Sequence, residues 1–122
     1  MAAGVRRLSN AGYNDLEMLD LHHPAADEIQ LTAVMHALSD PARLSVVRTL
    51  AAEGERACGS VPLGVTKATA SHHFKVLREA GVTMTRLDGA HRYLTLRRED
   101  LDARFPGLLD AILAAKPAGA LA

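Results

Sequence analysis

Tryptophan is absent from this chain, and two phenylalanines and two tyrosines are its only large aromatic side chains. A core with so few rings must draw on Leu, Val, Ala and Met, which favours packed helices over a β-sandwich. A single cysteine, Cys58, leaves no partner for an intramolecular disulfide and suits a reducing cytoplasm. No apolar run reaches the roughly 20 residues that a helix needs to cross a bilayer, so no membrane partner is expected. Arg6 and Arg7 have no apolar block behind them, so no secretory signal is expected either. An enzyme would need a convergent site. The chain offers no Ser-His-Asp motif, phosphate-binding glycine loop or paired-ligand metal motif, and it is read as a non-enzyme.

Net charge is missing as well. The formal total is zero, which argues against a nucleic-acid binder until the charges are placed. Between residues 66 and 98, seven cations (Lys67, Lys75, Arg78, Arg86, Arg92, Arg97 and Arg98) stand against two anions, Glu79 and Asp88. The local balance is +5, which leaves −5 for the remainder. Salt screens charges beyond about 8–10 Å, so the local balance matters more than the total. The basic half is a plausible phosphate-facing surface, although a merely solvated face would carry the same cluster.

At 122 residues the chain suits one domain. We read residues 1–20 as a mobile N-terminal segment, with Leu16, Leu19 and Leu21 docking at its end. Residues 21–115 form the folded domain and residues 116–122 a flexible tail. Pro24, followed by Asp27 and Glu28, suits a helix first turn. Leu31, Val34, Met35 and Leu38 then give a helix over residues 25–38 one buried stripe. Ser39-Asp40-Pro41 is the clearest punctuation, with Asp40 as N-cap and Pro41 at the first helical position. The helix it opens runs to about Ala52, buries Leu44, Val47, Leu50 and Ala51, and ends at Gly54. Gly59, Pro62 and Gly64 leave room for one short turn at most before the next element.

That next element, residues 66–81 (TKATASHHFKVLREAG), is the one the rest serves. Thr66 suits an N-cap, and Gly81 supplies a left-handed stop. Ala70, His73, Phe74 and Leu77 form the inward stripe. Lys67, Ala68, Ser71, His72, Lys75 and Arg78 form the other face: small residues first, hydrogen-bonding groups in the middle, cations at the rear. A helix so built fits a major groove, with donors for base edges and charges for phosphates, although periodicity alone fits any amphipathic helix.

After Gly81 the period changes. Residues 82–86 and 91–96 are rich in β-branched and aromatic residues, and Asp88-Gly89 between them is a two-residue hairpin signal of the type I′ kind. Leu101, Phe105, Leu108, Leu109, Ile112 and Leu113 make a last helical stripe, kinked or restarted at Pro106. The order is helix, helix, short turn, helix, hairpin, helix. The fold class is therefore mainly α with a small β-hairpin, a winged helix-turn-helix.

LSDPARLSVVRTL, LGVTKATASHHFKVLREAGV and RLDGAHRYLTL together resemble the ArsR/SmtB family of small winged-helix transcriptional regulators, from about Leu31 to Leu96. The resemblance implies a homodimer through the first and last helices. It further implies binding to palindromic double-stranded operator DNA, usually as a repressor that an effector releases. Lys67, Ala68, Ser71, His72 and Lys75 fall on the family's DNA-facing positions, and Arg86, Gly89, His91 and Arg92 fall on its wing. His73 and Phe74 match its inward-pointing pair. Two sensing sites known in the family are not expected here. Its Cys-x-Cys pair is reduced to the lone thiol of Cys58, and residues 98–115 lack the histidines of the last-helix site.

The remaining effector candidates are weaker. His22 and His23, with Asp20 and Glu28 nearby, could hold Ni²⁺, Zn²⁺ or Co²⁺, but an adjacent pair before a proline is equally a solvated turn. His36 reads as a polar-face or interface residue, and Cys58 as a packed small hydrophobe rather than a redox switch. An effector-sensing partner protein is the other route. The competing function is a winged-helix protein–protein interaction module that does not touch DNA.

Overall fold

The computed structural model describes residues 21–119. The readings of residues 1–20, with Leu16, Leu19 and Asp20, and of residues 120–122 lie outside the described residues. Those described form a 3-10 turn at Ala26–Glu28, α1 (Leu31–Ala37), α2 (Pro41–Glu53), β1 (Arg56–Ala57) and a second 3-10 turn at Cys58–Ser60. There follow α3 (Lys67–Glu79), β2 (Thr83–Asp88), β3 (His91–Leu96), α4 (Arg98–Arg104) and α5 (Leu108–Ala114). Five helices around a small antiparallel sheet make the winged helix-turn-helix expected from the pattern.

The helix starts follow from capping. Asp40 accepts from the backbone N–H groups of Ala42 at 2.8 Å and Arg43 at 3.2 Å, with Pro41 at the first position of α2. Thr66 Oγ1 accepts from the Thr69 N–H at 3.2 Å at the start of α3. The end of α3 is a Schellman motif: the Val82 N–H reaches Leu77 O at 3.0 Å, and the Gly81 N–H reaches Arg78 O at 3.1 Å. Gly81 sits at φ +87°, and a Cβ there would come within 2.6 Å of Ile29 Cγ1. Glycine is required at this stop for space as well as for conformation.

Three expectations need correction. The helix expected over residues 25–38 is broken at Ile29 and Gln30, both extended, with ψ of 124° and 137°. The break turns Ile29 into the core, where it is 1% exposed. Its carbonyl accepts instead from Arg104 Nη2 at 2.6 Å. Within α1, Val34 and Ala37 are buried, whereas Leu31 and Met35 are 47% and 49% exposed. In α2 the buried set is Arg43, Val46, Val47 and Leu50, with Ala51 exposed and Leu44 half-buried. The stripe is rotated because Arg43 is drawn inward by a hydrogen bond to Ala37 O.

The third correction concerns the wing. Its loop is Gly89-Ala90, one residue later than expected, since Asp88 pairs with His91. Gly89 has φ +63° and Ala90 is not among the positive-φ residues. That is the φ pattern of a type II′ turn rather than type I′. The sheet also gains a strand. The two residues of β1 pair antiparallel with β3, giving the order β1-β3-β2. Leu94 at its centre and Val82 beside it are fully buried, closing the core against Val46, Val47, Leu50 and Leu77. Residues 105–107 separate α4 from α5, as Pro106 implied.

Candidate nucleic-acid interface

α3 has two chemically distinct faces. His73, Phe74 and Leu77 are buried and Ala70 half-buried, so the inward stripe stands as read. Lys67, Ala68, Ser71, His72 and Lys75 are all exposed along one side. Arg78 departs from the expected exposed face. It is 7% exposed, and its Nε has no hydrogen-bond partner among the described residues. Burial lowers its pKa from the ordinary value, with Glu79 opposing and Arg92 adding to the shift.

The helix is fixed from behind by an arrangement no local pattern announces. Arg43 Nε donates to Ala37 O at 2.7 Å, and Nη1 lies 3.2 Å from His73 Nδ1. A guanidinium can only donate, so Nδ1 is the acceptor and the ring hydrogen sits on Nε2. One buried arginine thus ties the end of α1 and the start of α2 to the middle of α3. Asp40 caps the same turn. Partial desolvation opposes its ionisation, but the Arg43 and Ala42 N–H groups, with His73 and Arg43 nearby, outweigh that and hold its carboxyl below the ordinary range.

On the wing, Arg86, Gly89 and His91 are exposed and Arg92 is half-buried. Arg86 is already engaged. Its Nη2 and Nε reach the two oxygens of Glu55 at 2.9 and 3.2 Å. Asp88 lies 3.7 Å away, and the guanidinium sits 4.7 Å from the Tyr93 ring centre. The hydrogen bond to Arg86 holds the Glu55 carboxyl below its usual range, and the same bond raises the Arg86 value. Lys67 and Arg92 have no ion-pair partner among the described residues.

The candidate metal residues are placed differently from each other. His22 is exposed, while His23 Nε2 accepts from the Thr85 N–H on the free edge of β2 at 3.0 Å. Among the described residues, no three His, Cys, Asp or Glu side chains come together as a metal-holding group. His36 is exposed and offers its carbonyl to Ser39 and Arg43. Cys58 is half-buried against the core, and burial pushes its thiol pKa up.

The outer side of α3 thus joins short side chains at its first turns, hydroxyl and imidazole donors in the middle and two lysines, with the wing alongside. This is a surface that a polyanion with readable edges can fill. Among the described residues no helix is long and apolar enough to cross a membrane.

Comparison with known proteins agrees with this architecture. A helix-turn-helix domain family matches residues 38–86. The chain is 44% identical over 82 residues, 65% of its length and 82% of the relative's, to YceK of Bacillus subtilis (strain 168), an uncharacterized HTH-type transcriptional regulator. It is similar to the crystal structure of the transcriptional repressor BigR from Xylella fastidiosa at 30% identity and a TM-score of 0.51, covering 62% of this chain and 85% of that one. An ArsR family transcriptional regulator of known structure shares the fold at 22% identity and a TM-score of 0.56, over 66% and 90% of the two chains.

Proposed function

The chain belongs to the helix-turn-helix transcriptional regulators, and from that premise we propose that it is an ArsR-family repressor that binds palindromic operator DNA as a homodimer in the cytoplasm. α3 enters the major groove with Lys67, Ala68, Ser71, His72 and Lys75, while Gly89, His91 and Arg92 of the wing approach the flanking backbone. One observation supports this reading above others: the polar residues of α3 are exposed on one side, while His73, Phe74 and Leu77 fix the helix from behind. Ser71 and His72 serve base edges. Lys67 and Lys75 serve phosphates, and their part is independent of sequence.

The dimer is supported by α1, where Leu31 and Met35 stand about half exposed one helical turn apart. Such apolar exposure suits a second copy. Two-fold symmetry then sets the half-sites about 10 base pairs apart, or a multiple of that.

The test is fluorescence anisotropy on the promoter fragment upstream of the chain's own gene, with a scrambled fragment as control. Ser71→Ala should reduce the preference for the operator, and Lys67→Ala should weaken both fragments about equally, with folding unchanged by circular dichroism. Retention of neither fragment at low salt would sink the reading in favour of a protein–protein module.

A further inference from the structure

Between the start of α3, the second 3-10 turn and the tip of the wing lies a cleft of about 780 Å³. Its apolar lining includes Val61, Leu63, Val65, Ala70 and Phe74. Val65 is 42% exposed and Leu63 and Ala70 are half-buried, so this apolar surface faces solvent. The lining also carries two cations, Lys67 and Arg92, with Ser60, Ser71 and His91 as further polar residues. No aspartate or glutamate is among its lining residues. Behind Arg92 and Cys58, Arg78 adds a buried positive charge whose Nε has no partner among the described residues.

Phosphate groups of DNA account for the cations but not for the apolar lining. A free inorganic anion would leave most of the space empty. The volume is in the range of small-molecule sites, roughly 300–1,000 Å³, which combine an apolar lining with a few convergent polar groups. We propose that this cleft binds a small amphipathic organic acid, whose carboxylate lies against Arg92 and Lys67 while its hydrocarbon part covers Val65, Leu63 and Phe74. An occupied cleft neutralises the cations that stand at the edge of the α3 surface and fills the space between helix and wing. The acid therefore competes with DNA. This consequence rests on the DNA-binding reading, whereas binding of the acid does not.

The test uses octanoate as probe and octanol as its uncharged counterpart, titrated into the DNA-free protein and followed by ¹H–¹⁵N correlation spectra. Octanoate should saturate, with shifts confined to Cys58, Val61, Leu63, Ala70 and the wing tip, and octanol should bind at least tenfold more weakly. Arg92→Gln should weaken octanoate at least tenfold. Val65→Asp, at an exposed position, places a carboxylate at the rim and should do the same without touching the core. Shifts scattered elsewhere, equal binding of octanol, or wild-type affinity in both variants would overturn the site. In a second arm, octanoate should raise the apparent Kd for the promoter fragment in wild type but not in Val65→Asp. An unchanged Kd with the cleft saturated would overturn the competition. Failure of the DNA reading would show separately, as no retention of the fragment without octanoate.

Discussion

At the scale of single residues, the informative side chain on the wing is Glu55. On the proposed reading Arg86 stands where the wing meets a nucleic-acid backbone, yet its Nη2 and Nε both donate to Glu55, and Asp88 lies 3.7 Å from its Nη1. Exposed ion pairs of this kind are weak and salt-sensitive, so a phosphate can displace the carboxylate, but only in competition with it. Glu55→Gln removes the competitor and leaves the guanidinium in place on Tyr93. The expected outcome is severalfold tighter DNA binding at low salt. The plot of log affinity against log salt should steepen by about one per protomer, the signature of one added phosphate contact. An unchanged slope would mean that Arg86 serves the sheet rather than DNA. Glu55 and Arg86 are 31 positions apart, and nothing local marks them as partners. For the same reason Arg78 read as a surface cation: its helical position borders both faces, and nothing within the helix decides that it is covered.

At the scale of elements, the wing is braced by the segment that precedes α1. His23 accepts from the Thr85 N–H on the edge of β2, and Arg97 Nη1 donates to Pro24 O at 2.7 Å while its other nitrogens hold Asp100. Burial, reinforced by Arg78, Arg97 and His22, lowers the His23 pKa from 6.5. The folded chain therefore binds fewer protons than the unfolded chain just below that value. The contribution is fully present above pH 6.5 and is lost as pH falls through the depressed folded value. Urea unfolding across about pH 5 to 7.5 should show stability rising with pH below 6.5. His23→Gln keeps an acceptor but cannot titrate, and it should flatten that rise. Parallel curves for the two proteins would refute the brace. The capped helix starts at Asp40 and Thr66, and the glycine stop at Gly81, could be read from the chain because each depends on neighbours within a turn. The break at Ile29 and the two-residue strand β1 could not. At the first, the Ile29 carbonyl is bound by Arg104, 75 positions away, and the second is too short to carry a periodic pattern.

At the scale of the molecule, the neutral total hides a division of labour in which the α3-to-β3 half carries the positive excess and the remainder carries the negative one. That much was visible in the sequence. Which cations remain available was not, because Arg78 and Arg97 are buried and Arg86 and Arg98 are paired with carboxylates. On the proposed reading, Lys67, Lys75 and Arg92 are left to face phosphates. Two copies then offer about six such contacts, and at about 0.9 counterions each the salt slope of the dimer should lie near −5. The value tests the assembly as well as the surface. Leu31→Gln with Met35→Gln replaces the exposed apolar pair on α1 by neutral side chains that helices tolerate. If that face joins the two copies, the double variant sediments as a monomer at micromolar concentration and its slope falls to about −3, because one protomer reaches one half-site. If it remains a dimer with the full slope, the copies meet elsewhere. A wild-type slope near −9 would instead mean that Arg86 and a further cation are released from their carboxylates on binding.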